Sequence, residues 1–240
     1  MTTESELHIK KSDSWQMFNT ISPKYDLLNR LLSFGLDIHW RNVLSSKLIS
    51  RPDMKVLDLA TGTGDVVITF TQDHKNIKEA HGVDMAEKML EVGRLKINKL
   101  NLADKITLHH GDANKIPFDE NTFDNASISF GIRNVEDPSV VLRDMKRVLN
   151  QGGRAFILEF SMPENPVIRF FHTMYLRHAV PLIGLIFSGH YKAYKYLNQT
   201  IETFPYGDAF VKLIEEAGFS NVRAIPLLFG TATIYQGDKI

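Results

Sequence analysis

From residue 54 onward the chain alternates short apolar runs with longer stretches whose apolar positions recur at helical spacing. That alternation is the pattern of a parallel sheet with helices on its faces. It predicts strands at Lys55–Leu59, Glu79–Val83, Ile106–His109, Phe123–Ser129 and Arg154–Glu159, and helices starting near Asp65, Ala86 and Pro138. The last helix has a start signal, with Asp137 as N-cap and Pro138 at the first helical position. Val140, Val141, Met145, Val148 and Leu149 make its apolar face, and the Gln151-Gly152-Gly153 run is expected to end it. A further helix, stopped by Gly218, precedes two strand-like runs on either side of Gly230 that pair as an antiparallel hairpin. The expectation is a mixed seven-stranded α/β sheet with helices on both faces and a final antiparallel strand. Residues 1–50 read as a helical cap with breaks at Ser22-Pro23 and near Gly35. Residues 51–240 read as one cofactor-binding domain, with a helical insertion at 162–204.

The first predicted strand runs into a glycine-rich turn, VLDLATGTGDV at Val56–Val66. In an open parallel sheet, ligands sit beyond the carboxyl ends of the strands, near the first one. Gly62 and Gly64 supply two glycines of a dinucleotide fingerprint, but the third position holds Val67. Asp65 adds a carboxylate where a pyrophosphate would be repelled and a cofactor carrying an ammonium would be favoured. Asp84, followed by Met85, ends the second run 20 residues after Gly64, the place of an acid that accepts from two ribose hydroxyls. Asp112 and Ala113 end the third run, where a carboxylate can accept the exocyclic amine of an adenine. An adenosine bearing a charged amino acid and no phosphate describes S-adenosylmethionine. Each acid taken singly reads as a helix cap or a solvated loop residue. Recurrence after three successive strands is what points to a cofactor.

Composition narrows the class. Lys plus Arg equals Asp plus Glu, 28 each in 240 residues, which argues against a dedicated nucleic-acid binder. Cysteine is absent, so there is no thiol nucleophile, disulfide framework or cysteine metal site. The histidines show no ligand spacing, and no metal is expected. The polar stretch Met1–Trp15 does not read as a signal peptide. The longest apolar run, Ala179–Phe187, falls well short of the ~20 residues that span a bilayer. A cytoplasmic protein is expected.

Four stretches carry a resemblance: YDLLNRLLSFGLDIHWR at Tyr25–Arg41, the DLATGTGD turn, GDANKIPFDENTFDNASISFGIRNVEDP at Gly111–Pro138, and RVLNQGGRAFILEFS at Arg147–Ser161. In these the chain resembles the ubiquinone/menaquinone biosynthesis C-methyltransferases, within the class I S-adenosylmethionine-dependent enzymes, from about Trp15 to Lys239. Many methyltransferases share the glycine turn, whereas SFGIRNV and the Tyr25–Arg41 stretch are more specific. The resemblance implies a Rossmann-like class I methyltransferase fold. It implies cofactor contacts at Thr63, Asp84, Asp112, Ala113 and Ser129, beside the turn's Gly62 and Gly64 and the strand-end Met85. Two places depart from the family pattern. Asp37 stands where its first motif often has His, with His39 two residues on, and Asn150-Gln151 replaces Lys-Pro.

The reaction implied is methyl transfer to a ring carbon of a polyprenylated quinol: demethylmenaquinol to menaquinol, the benzoquinol of ubiquinone biosynthesis, or both. Arg133 stays protonated and can stabilise a phenolate. Asn134 could hydrogen-bond a quinol oxygen, and Tyr25 and Asp26 are candidates for acceptor contact or proton removal. His39 is a further candidate base by residue type. Plainer readings stand beside these: a salt bridge, a turn residue, a helix cap with a packed aromatic, a structural histidine.

Residues 165–201 contain no Asp or Glu, yet hold Arg169, Arg177, Lys192 and Lys195. Phe170, Phe171, Met174, Tyr175, Leu176, Leu182, Ile183, Leu185, Ile186 and Phe187 can form a prenyl groove. The cations can meet anionic lipid in a peripheral contact at the inner face of a membrane. The plainer reading is a covering helix with an apolar inner face and a solvated basic outer face. An NAD-dependent dehydrogenase would need Val67 at the third fingerprint position and offers no catalytic set. A methyltransferase of another small molecule, or of nucleic acid, is compatible with the fold, but the second needs a broad basic face. A binding module without turnover would keep Asp84 and Asp112.

Overall fold

Alternation along the strands buries both faces of one sheet in the computed structural model, which describes residues 11–188 and 191–240. The strands are β1 (Met54–Leu59), β2 (Ile77–Asp84), β3 (Ile106–His110), β4 (Phe123–Ser129), β5 (Leu149–Phe160), β6 (Ser220–Leu227) and β7 (Ala232–Asp238). Their order is β3-β2-β1-β4-β5-β7-β6. β1 to β5 pair in parallel, and β7 lies antiparallel between β5 and β6. The expected mixed sheet with a final antiparallel strand is therefore present.

The helices are α1 (Ser14–Ile21), α2 (Tyr25–Leu32), α3 (Leu36–Ser45), α4 (Asp65–Asp73), α5 (Glu87–Lys99), α6 (Pro138–Val148), α7 (Pro166–Met174), α8 (Val180–Ser188), α9 (Tyr191–Thr203) and α10 (Asp208–Glu216). On β5, Ala155 and Ile157 pack with Val141 and Met145 of α6 and Phe210 of α10. Their neighbours Phe156 and Leu158 face the other way, into a core with Val67 of α4, Leu90 of α5 and Trp40 of α3. Val67, at the third fingerprint position, is thus a core residue.

Strand order leaves β1 in both directions, through β2 and through β4, so the crevice beyond the ends of β1 and β4 is the switch point. The turn after β1 uses Gly62 and Gly64 in the left-handed region, at φ +56° and +79°. A Cβ on Gly131, just beyond β4, would lie 2.4 Å from the Cβ of Ala60, so only glycine lets the two strand-end loops meet. Beneath them the Ser127 hydroxyl donates to Asp58 at 2.6 Å, and burial raises the Asp58 carboxyl to about 7.

The N-terminal helices and the helices after β5 share a third cluster, formed by Leu28, Leu176, Val180, Ala193, Tyr194 and Ile201. The expected breaks are present: a 3-10 turn at Ser22–Lys24, and Gly35 in the left-handed region before α3. The first ten residues of the expected cap lie outside the described residues. α7 passes into α8 through a π-helical turn, Tyr175–Ala179. Pro181 accounts for it, because a proline has no N–H to donate and its ring would collide with the Arg177 carbonyl in a regular helix.

One expectation is corrected. α6 does not end at a glycine: Leu149, fully buried and paired with Phe123, already begins β5. Gly152, at φ +69°, lies inside β5, where the register with β4 shifts.

Candidate active site

Two cavities meet above the ends of β1 and β4. The first, of about 280 Å³, lies against Gly62, Asp84, Met85, Asp112, Ala113 and Ser129 and is roofed by Trp15 and Phe18 of α1. The Asp84 carboxylate accepts from the Gly62 and Ala86 amides, both at 2.8 Å. Burial still pushes its pKa up, with the backbone donors opposing. One oxygen of Asp112 accepts from the Asn114 amide and side chain at 2.9 and 2.8 Å. The Ser129 hydroxyl faces the same space, buried and without a hydrogen-bond partner.

Thr63, Gly64, Asp65 and Asp26 line neither cavity. The Thr63 hydroxyl donates to Asp26 at 2.6 Å, and Lys96 of α5 reaches both at 2.9 Å. Lys96 also pairs with Asp65, whose other oxygen lies 3.4 Å from Arg41. Asp65 is therefore satisfied by two cations of this chain and is not available to a ligand ammonium. Gly64 serves as the left-handed N-cap of α4. These four residues hold the turn and fasten the N-terminal helices to it.

The second cavity, of about 230 Å³, is mostly apolar and lies between the N-terminal helices and α7 to α9. Arg133, in a 3-10 turn after β4, reaches it with 4 % of its surface exposed. Its Nη1 donates to Glu159 at 2.7 Å and to the Phe130 carbonyl, and its guanidinium lies 5.3 Å from the Phe160 ring centre. Its Nε has no hydrogen-bond partner. Asp37 also lines this cavity, held by Ser33 at 2.8 Å and by Arg30 and Arg41 at 3.0 and 2.9 Å. His39 is exposed on α3 and lines neither cavity, so it is not placed to act as a base.

Four residues line both spaces: Phe18, Tyr25, Phe130 and Asn134. Burial raises the Tyr25 phenol, opposed by Asn29 and Arg133. The Asn134 Oδ1 is buried without a partner. Adjacent cavities that share a wall suit group transfer, since a donor in one and an acceptor in the other are held against the same side chains.

Residues 6–239 match the model of the ubiE/COQ5 methyltransferase family. The chain belongs to that family. It is 40% identical over 224 residues to the ubiquinone/menaquinone biosynthesis C-methyltransferase UbiE of Geotalea daltonii, covering 93% of this chain and 95% of the relative. It is 38% identical over 231 residues to the demethylmenaquinone methyltransferase of Bacteroides fragilis, covering 96% and 94%. A SAM-dependent methyltransferase from Aquifex aeolicus shares the fold, with a TM-score of 0.59 at 18% identity over 83% of this chain and 89% of that one. An O-methyltransferase family protein from Burkholderia thailandensis does so with a TM-score of 0.67 at 14% identity, over 97% and 64%.

The chain is thus an S-adenosylmethionine-dependent methyltransferase of the ubiE/COQ5 family, and the first cavity fits that cofactor. Its charged lining is Asp84, Asp112 and Glu136 against Lys11, a balance that suits a cationic ligand and opposes a pyrophosphate. The acidity that the sequence assigned to Asp65 is supplied here by other residues. Ser129 and Asn134 add buried polar atoms that a ligand can satisfy.

Trp15, Phe18, Glu159 and His172 belong to the site and were not read from the sequence. Trp15 and Phe18 carry a weak signal, two aromatics at helical spacing in a polar stretch. His172 lines the second cavity with its Nε2 buried and unpartnered. Of the residues expected to form a prenyl groove, Tyr175 and Leu176 line this cavity, while Phe170, Phe171, Met174, Leu182, Leu185 and Ile186 face outward. The Phe187 and Lys192 side chains lie outside the described residues. A solvated basic outer face is not what α7 and α8 present: it is largely apolar.

Proposed function

We propose that this chain methylates a ring carbon of a polyprenylated quinol, converting demethylmenaquinol to menaquinol, with the ubiquinone-pathway benzoquinol as a second acceptor. The observation that carries this reading is the wall of Phe18, Tyr25, Phe130 and Asn134 shared by a cavity with an acidic lining and an apolar one. The names of the relatives supply the acceptor class.

S-adenosylmethionine in the first cavity supplies a methyl group already activated as a sulfonium. The protein's task is to align the ring carbon, exclude water and handle one proton. Tyr25 and Asn134 contact the ring oxygens where the cavities meet. Tyr25, held protonated by its raised pKa, donates there. Arg133, fixed by Glu159 and Phe130, stabilises the phenolate that makes the ring carbon nucleophilic. The quinol O–H proton goes to His172 as the ring carbon takes the methyl group. The C–H proton that the methyl displaces then returns the oxygen to a hydroxyl, so one proton is released overall. Among the titratable groups lining this cavity, the arginines cannot act as bases, burial raises the Tyr25, Tyr175 and Tyr196 phenols, and Asp37 is held in ion pairs. Burial lowers the His172 pKa, leaving a neutral imidazole with a free lone pair. Asp26 has no part in the chemistry and acts on the turn through Thr63 and Lys96.

The chain works from the cytoplasm as a peripheral protein at the inner face of the membrane, because an acceptor with a polyprenyl tail partitions into lipid. Among the described residues no helix is long and apolar enough to cross a membrane. The test is mass spectrometry of a reduced short-tailed demethylmenaquinol and of the benzoquinol, each with S-adenosylmethionine. One added methyl on the naphthoquinol is expected. No product from either acceptor, with the cofactor bound, would remove the reading.

A further inference from the structure

Sixteen large apolar side chains are exposed among the described residues, and their distribution is uneven. Leu95, Leu100 and Ile240 stand apart. The rest fall on α2, the turn into α3 and the start of α3, on α7 and α8, and on the tip that joins β6 to β7. Phe34 is 76% exposed, Phe171 64%, Ile186 67% and Phe229 75%. Monomeric proteins rarely leave so large an apolar surface to water without an interaction to cover it.

The three segments are far apart in sequence and fastened together. The Phe34 ring lies 5.8 Å from that of Tyr175, whose hydroxyl donates to the Leu32 carbonyl at 2.7 Å. The Ser161 hydroxyl donates to the Gly230 carbonyl at 2.8 Å, which sets the Phe229 tip beside the chain entering α7. Phe34, Tyr175 and Leu228 also line the second cavity, so the exposed rim is the rim of that cavity.

We propose that this rim is a lipid-binding face, in which the outer sides of α7 and α8 and the Phe229 tip enter an anionic bilayer and open the acceptor cavity toward it. The proposal rests on the polyprenylated-quinol reading and adds the surface through which such an acceptor arrives. Residues 165–201 contain no Asp or Glu. Arg169 stands among the exposed apolar side chains of α7 and α8, with Arg177 on the turn between them and Lys195 on α9, where the one acid is Glu202. This cationic excess suits lipid phosphates. Arg177 is paired with Glu202, so Arg169 and Lys195 carry more of that attraction. A second copy seated on this face would cover the cavity mouth, whereas lipid would fill it.

The experiment uses the full chain, the Phe170→Ser/Phe171→Ser/Phe229→Ser triple variant and an Ile186→Glu variant. None of these residues lines either cavity. Flotation with vesicles of phosphatidylglycerol and phosphatidylcholine should show the wild type bound and both variants weakened at least tenfold. Each variant should methylate a short-tailed acceptor in solution at the wild-type rate and lose most turnover of a long-tailed acceptor held in vesicles. A wild type that stays in solution, or variants that float like it, would overturn the proposal. So would a lipid-free dimer in sedimentation velocity that the triple variant abolishes. Vesicle binding without methylation of either acceptor would instead sink the quinol reading and leave the lipid face standing.

Discussion

Arg133 combines two readings that the sequence set against each other. It is in a buried ion pair with Glu159 and it also faces the acceptor cavity, so the pair is what aims the guanidinium. Replacing Arg133 by Ala should lower kcat by about a hundredfold, the scale of losing one preorganised charge at a developing anion. The S-adenosylmethionine Kd, read by calorimetry, should stay unchanged. An unchanged kcat would return Arg133 to a purely structural role. His172 gives a pH signature. Its pKa lies below the usual histidine range, so its imidazole is neutral through the neutral region and gains a proton only in acid. Wild-type kcat should therefore fall only as pH drops through that lowered value. The His172→Gln variant should be slower throughout and lack this acid limb. An acid limb that survives in the variant would assign the proton to another group. Asp84 and Asp112 were legible because an acid ending a predicted strand needs only chain position to be placed. Asp65 and the Thr63 hydroxyl are engaged by Lys96, on a different helix, a contact that chain position does not announce.

At the level of elements, a chain of alternating charges joins the cap to the cofactor turn: Asp37, Arg41, Asp65, Lys96 and Asp26, in that order. It links α3, α4, α5 and α2. Removing Lys96 as Met would leave Asp26 and Asp65 facing each other without their shared cation. Hydrogen exchange across α2 should then quicken, and the cofactor Kd should rise because Tyr25 and Phe18 sit on the loosened helices. Wild-type protection of α2 in that variant would show that the third apolar cluster holds the cap alone. The helices outside the insertion were legible, and Asp137 caps α6 as read, accepting from the Ser139 amide at 2.8 Å. The insertion, where one or two helices were expected, holds three among the described residues. The join of α7 to α8 was not. A run with Pro181 in it reads as a break, and the wider turn that keeps the helix going depends on backbone geometry rather than pattern.

For the molecule as a whole, the sheet order follows from a few rules of parallel connection, and seven strands were expected where seven are found. The two cavities could not be read in the same way. Their walls combine α1, α2 and α7 to α9 with loops of the sheet, and nothing in a local pattern says how such distant helices pack. A bound cofactor should stabilise the fold by mass action, by about 2.7 kcal/mol at a hundred times its Kd. S-adenosylmethionine should therefore raise the wild-type Tm and leave that of Asp84→Ala unmoved. An equal rise in both would move the cofactor away from Asp84.

The wall common to the two cavities also makes the two ligands interdependent. Whatever fills one side packs against Phe18 and Tyr25, side chains that the other ligand also meets. Coupling of this kind is reciprocal at equilibrium: the factor by which the demethylated cofactor tightens the quinol must equal the factor by which the quinol tightens the cofactor. Four dissociation constants measured around that closed square should show a common factor greater than one, and Phe18→Ala should bring it close to unity.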